Sequence, residues 1–159
     1  MDVVDLSTLA PAQWVQHILK MWVKDSVIDD SELDIDGIRC AKLHAKYLGV
    51  HSHAKRMVHK SKMRQKKLLL DKWEWYNGKM HKSRIDELGW VYDPLDGKKV
   101  LKGDMNRYYD ADPDIQESEN VLEEWKLIES TVREIIDTIR WRHQTIKNMI
   151  EFKKFRAGV

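Results

Sequence analysis

Val121 to Met149 reads VLEEWKLIESTVREIIDTIRWRHQTIKNM, and its apolar side chains recur with a period that only a helix supplies. Val121, Trp125, Ile128, Val132, Ile135, Ile139, Arg142, Ile146 and Met149 follow one another at alternating steps of four and three residues. That is a heptad seam of about four repeats, interrupted once, at Arg142. A second line, Leu122, Ile136 and Ile150, borders the seam and widens the apolar face beyond what a two-stranded coil needs. The spacing predicts a helix over about residues 117–155. This helix can pack on another helix of the same chain, or it can join protomers. So long a seam exceeds what one short partner helix covers, so self-association through Val121, Trp125, Ile128, Val132, Ile135, Ile139, Ile146 and Met149 is the expectation.

The second organising stretch lies upstream. Gly37 to Leu70 holds ten Lys or Arg and four His, with no Asp or Glu. The whole chain of 159 residues carries a net charge of only +2, so the positive charge is segregated. A helix of this composition lacks the glutamate–lysine pairs that support an exposed charged helix, and local stability is given up for a positive field. The helical pattern runs from about Asp34 to Tyr76. Asn77-Gly78 is its stop, because both residues accept the left-handed cap conformation. Gly49 is expected to bend or break the helix near His51 and His53, which read as solvated turn residues. Two acidic blocks, Asp25 to Asp36 and Asp110 to Glu124, each stand just ahead of a helix, where carboxylates favour the positive end of the dipole.

The remaining segments are shorter. Trp14, Val15, Ile18, Leu19 and Trp22 form one stripe on an amphipathic helix behind a polar leader. Trp90-Val91-Tyr92 and Lys98-Lys99-Val100-Leu101, around a loop bearing Pro94 and Gly97, read as a small β-hairpin. The predicted architecture is all-α, with long helices, a helical hairpin, a long C-terminal oligomerisation helix and this β-hairpin insert. Three stretches result: 1–24 an N-terminal amphipathic helix, 25–116 a basic helical region with the insert, and 117–159 the heptad helix.

Composition excludes several function classes. No apolar run approaches the ~20 residues that span a membrane, and the single cysteine, Cys40, excludes an internal disulfide. A cytoplasmic protein is expected. No phosphate-cradling glycine loop is present. Cys40 and His44 lie four apart without a third ligand at sensible spacing, so no metal and no cofactor is expected. The carboxylates have no partner base, and the chain reads as a protein that is not an enzyme.

The nucleic-acid signal is stronger. Lys55, Arg56, Lys60, Lys62, Arg64, Lys66, Lys67 and Lys72 suit phosphates, and Lys72-Trp73-Glu74-Trp75-Tyr76 adds aromatic rings at the end of the run. Of Trp73 and Tyr76, three apart, at least one is expected to point into the core, and Trp75 is the best candidate for an exposed ring that stacks on an unpaired base. Two competing readings are a coiled-coil adaptor whose basic helix docks an acidic protein, and a small metal-dependent nuclease.

At Leu69-Leu70-Asp71-Lys72-Trp73-Glu74-Trp75-Tyr76-Asn77-Gly78 the chain resembles the UvsY recombination mediators of T-even-like bacteriophages. Lys72 matches the second basic position of the family's motif, Glu74 its acid, Trp75-Tyr76 its aromatic pair and Gly78 its glycine. Leu70 stands in the place of the first basic residue, and Lys66 and Lys67 just upstream compensate. Asp25-Ser26-Val27-Ile28-Asp29, Trp125, Ile146-Lys147, Met149 and Phe155-Arg156-Ala157-Gly158 are similar to further parts of the family. The resemblance covers roughly residues 25–78 and 104–159. It implies a non-enzymatic accessory protein that forms a ring-like homo-oligomer and binds single-stranded DNA. It also implies, as partners, a phage recombinase and the single-strand-binding protein that the recombinase displaces, in the cytoplasm of an infected bacterial host.

Overall fold

The computed structural model describes residues 9–158. It places five helices among them: α1 (Pro11–Asp25), α2 (Leu33–Tyr76), α3 (Lys82–Leu88), α4 (Met105–Ala111) and α5 (Pro113–Ala157). Most of the polar leader expected ahead of Pro11 lies outside the described residues. The described residues form two compact units, one from residues up to Met57 together with those from Glu124 onward, the other Val58–Glu123. Both long helices contribute to each unit.

In the first unit the heptad seam is filled from within the chain. Trp125, Ile128, Val132, Ile135, Ile136, Ile139 and Ile146 of α5 are buried, as are Trp14 and Ile18 of α1 and Leu33, Tyr47 and Ala54 of α2. The Trp14 ring stacks on His53 at 5.1 Å and meets Trp125 edge-on at the same distance. Contacts of Asp36 with Arg142 and of His51 with Glu129 set α2 antiparallel to α5 here. The seam expected to join protomers is therefore an intramolecular interface. Its partner, α2, is 44 residues long and not a short helix. Each Ile or Val so buried stabilises the fold by about 1.5–3 kcal/mol. Met149 lies at the margin, half-buried.

Two local expectations change in this unit. α2 runs unbroken past Gly49, where an added Cβ would meet no atom within 4 Å. One solvent-facing glycine costs about 1 kcal/mol in a helix, less than the burial of Tyr47 and Ala54 beside it returns. His51 and His53 are also not turn residues. Both are half-buried on the inner face of α2, His51 facing Glu129 and His53 against the tryptophans.

Arg142, the interruption of the seam, is buried and has a structural role. Its guanidinium donates to the carbonyl oxygens of Asp25, Ser26 and Val27 at 3.1, 2.8 and 2.6 Å. These acceptors include groups that the end of α1 leaves without intrahelical partners. The buried Asp36 lies 3.8 Å from the same guanidinium and accepts from the Asp29 N–H at 2.6 Å.

The second unit begins at Val58 and contains the stop of α2. Gly78 adopts φ +64°, its N–H donates to Trp75 O, and the Lys79 N–H reaches back to Glu74 O. This paired closure satisfies the last carbonyls of the helix, as the Asn77-Gly78 signal predicts. Gly89, at φ +68°, closes α3 in the same conformation. The core of the unit comprises Val58, Met80, Ile85, Met105, Ile115 and Leu122. Val121 is half-buried beside it.

The β-hairpin insert is corrected by the structure. No strand occurs among the described residues, and 89–104 form turns and bends. Asp93 and Asp96 adopt φ +52° and +49°, the Gly97 N–H donates to Asp93 Oδ1, and the Lys98 N–H to Leu95 O. These successive turns coil the segment tightly. Val91, Tyr92 and Leu101, which would have given a hairpin its apolar face, are exposed. Arms of three and four residues without such a face do not hold together as a sheet.

Candidate nucleic-acid interface

The candidate site is built on α2, and its chemistry follows from which side of the helix each residue occupies. In the second unit the inward side carries Val58, Ser61 and Lys72, all buried. The outward side carries Lys60, Lys62, Arg64, Lys66 and Lys67, all exposed. Among the described residues none of these five has a carboxylate within ion-pair distance. In the first unit Lys55 and Arg56 are exposed in the same way and likewise unpaired among the described residues. Seven of the eight basic residues singled out from sequence thus present free charge to solvent.

Lys72 is the exception. Its side chain is 3% exposed, and its ammonium lies 2.6 Å from Asp114 and 2.9 Å from Asp112. The same nitrogen sits 4.2 Å from the centroid of Trp90 and 4.7 Å from that of Trp75. A cation so placed is neutralised by its carboxylates and enclosed by ring faces. It holds the unit together and offers nothing to a phosphate, which corrects its assignment as a DNA contact.

Asp112 is the centre of this cluster and also the cap of α5. Its Oδ1 accepts from the N–H groups of Asp114 and Ile115 at 3.0 and 3.2 Å, and Pro113 occupies the first helical position. Its Oδ2 accepts from the Tyr76 hydroxyl at 2.8 Å. Burial pushes the Asp112 carboxyl up. Hydrogen bonds from Lys72, Tyr76 and the Ile115 N–H, with the Lys72 charge, outweigh burial and hold it below the usual carboxylate range. The Tyr76 hydroxyl is pushed well above its ordinary value, first by burial and then by its bond to Asp112. The Asp112-Pro113 pair is a readable helix start, and with it α5 begins four residues before the predicted position.

The aromatic run divides in the same manner as the lysines. Trp75 donates from Nε1 to Val91 O at 2.8 Å and packs on Tyr76 and Trp90 at 4.9 and 5.0 Å. It is half-buried and engaged, so it is not the free stacking ring expected. Trp73 is the exposed one, with the Lys79 ammonium 4.3 Å from its ring centroid. Of Trp73 and Tyr76, at least one of which is expected to turn inward, Tyr76 does and Trp73 does not. Tyr76 shares its inner face with Lys72, four residues before it.

In the first unit a cleft of about 870 Å³ is lined by Lys24, Arg39, Lys42, Lys46 and Arg142, with Asp25, Asp29 and Asp36. Its carboxylates are spoken for: Asp25 by Lys46 and Tyr47, Asp29 by the Ser31 N–H, and Asp36 by Arg39 and Arg142. Among the described residues no cluster of His, Cys, Asp and Glu has the makings of a metal site. None of the described helices is long and apolar enough to cross a membrane.

Comparison with known proteins gives the chain its relatives. The recombination protein uvsY of Enterobacteria phage T4 is 24% identical over 135 residues, 85% of this chain and 91% of that protein. Crystal structures of the bacteriophage T4 recombination mediator protein UvsY share the fold. Lattice type II gives a TM-score of 0.77 at 21% identity, covering 89% of this chain and 96% of that one. Lattice type I gives 0.77 at 21%, covering 88% and 98%. The family described as "Recombination, repair and ssDNA binding protein UvsY" matches residues 21–159, and the chain belongs to that family.

Proposed function

We propose that this chain is a recombination mediator, a non-enzymatic accessory protein that grips single-stranded DNA through the outward face of α2. The observation that carries the reading is the set of exposed cations Lys55, Arg56, Lys60, Lys62, Arg64, Lys66 and Lys67, unpaired among the described residues. Phosphates are contacted by such residues without regard to sequence, with counterions released on binding. Membership of the family supports recombination and repair as the setting.

The chain acts as a ring-like homo-oligomer in the cytoplasm of the infected bacterial host, with a phage recombinase and a single-strand-binding protein as its partners. Because the heptad seam is used inside the chain, self-association draws on the apolar side chains that α5 leaves in solvent. Trp141 and Phe155 are 72% and 81% exposed, with Phe152 beside them. Several weak grips on one strand then multiply, since every contact after the first is intramolecular. A strand held this way is bent and extended, which weakens the hold of a protein already on it and opens it to the recombinase.

Sedimentation of the protein with and without a labelled single strand, at two salt concentrations, tests the proposal. A defined oligomer that binds the strand and releases it as salt rises is expected. A species indifferent to the strand would return the basic face to the competing reading, an adaptor docking an acidic protein.

A further inference from the structure

We infer that Trp73 is the ring on which an unpaired base stacks, and so the residue that makes the interface prefer single strands to duplex. The inference rests on the reading of α2 as a strand-binding helix. Four features of the second unit lead to it.

Trp73 shares its line on α2 with cations. Lys62, Lys66 and Trp73 are separated by four and seven residues, which returns to one side of a helix at each step. Lys66 and Trp73 lie about 10 Å apart along the axis at 1.5 Å per residue. Between and beside them Leu70 and Met63 are exposed, 56% and 46%, so the outward face alternates charge with apolar surface. That mixture suits a chain of phosphates carrying bases that are free to turn inward.

The ring itself is available. It is 38% exposed, and among the described residues no other aromatic ring packs on it. The Lys79 ammonium, 4.3 Å from the centroid, lies over one face of the indole and adds a positive charge there, so a base stacks on the opposite face. The two neighbouring rings of α2 are closed to a base: Trp75 packs between Tyr76 and Trp90, and Tyr76 is bonded to Asp112. In a duplex the bases already stack on one another inside the helix, and Trp73 meets only the backbone. A single strand offers it a base face.

Binding of the full-length protein to three short labelled ligands of equal length decides the matter: a deoxythymidine strand, an abasic strand and a duplex, each followed over a salt series. The native chain is expected to bind the base-bearing strand roughly tenfold more tightly than the abasic one, with the same salt slope, because stacking releases no counterions. Trp73→Leu is expected to erase that difference and leave duplex binding unchanged, and Trp73→Phe to restore most of it. Equal binding of base-bearing and abasic strands by the native chain overturns the role of Trp73 and leaves strand binding standing. So does a difference that survives in Trp73→Leu. A native chain that binds none of the three ligands overturns the strand-binding reading itself. The native comparison between strands needs no variant, so a Trp73→Leu chain that loses helicity by circular dichroism does not remove the test.

Discussion

The two sides of α2 between Val58 and Tyr76 use the same residue types for opposite ends. On the inner side Lys72 is enclosed by Trp75 and Trp90 and paired with Asp112 and Asp114. On the outer side Lys62, Lys66 and Lys67 stand in solvent, without a partner among the described residues, beside the exposed Trp73. A lysine next to a tryptophan is a structural bolt in one place and an exposed charge in the other. What separates them is the angular position around the helix and the presence of carboxylates on the element packed against it. Composition records neither.

The largest effect that tests this contrast is on stability. Lys72→Ala leaves Asp112 buried without its counter-charge, and breaking such a pair costs about 3–5 kcal/mol. A shift of that order in the urea midpoint is expected, read by helical circular dichroism. Unchanged stability with weakened strand binding would mean that Lys72 faces outward after all.

The outer side should answer in the opposite sense. Lys66→Ala with Lys67→Ala is expected to leave the unfolding free energy in urea within about 0.5 kcal/mol of native. It should reduce the salt slope of single-strand binding by about 1.4, at roughly 0.7 for each phosphate that is no longer neutralised. Anisotropy titrations at several salt concentrations provide the measurement.

A smaller effect concerns pH. The folded Asp112 carboxyl is held below the ordinary range, so the unfolded chain takes up its proton first as pH falls. The stabilisation it contributes is complete above the unfolded carboxylate value of about 3.9 and is lost as pH drops through the lower folded value. Asp112→Asn keeps an acceptor for the cap while removing the titration. Its urea midpoint should therefore fall less steeply than native between about pH 5 and pH 2.

The smallest expected effect lies in the first unit. Gly49→Ala fills open space on a continuous helix and should stabilise the chain by about 0.5–1 kcal/mol, read as a rise in the thermal midpoint. A loss of stability would indicate that the helix is bent there.

The all-α fold was legible because its signals are local. The four-three alternation from Val121 to Met149 and the Asn77-Gly78 stop each correspond to one physical device in the structure. The basic face was legible because a run without Asp or Glu cannot neutralise itself within the helix. What was not legible depends on partners distant in sequence. The seam's occupant is α2, roughly 70–110 residues upstream, and a heptad carries no mark of whether its partner belongs to the same chain. Lys72 looked like its neighbours until Asp112 and Asp114, some 40 residues downstream, closed on it. Trp75 is engaged for the same reason, since Val91 and Trp90 come from a loop whose path the sequence alone did not reveal.

The measurement that tests the account most directly is the salt dependence of single-strand binding for three proteins side by side: native, Lys66→Ala with Lys67→Ala, and Lys72→Ala under conditions where it remains folded. A steep slope is expected for native, a shallower one for the outer-face variant and the native slope for Lys72→Ala. A native slope near zero, or a flattened slope in Lys72→Ala alone, would contradict the account.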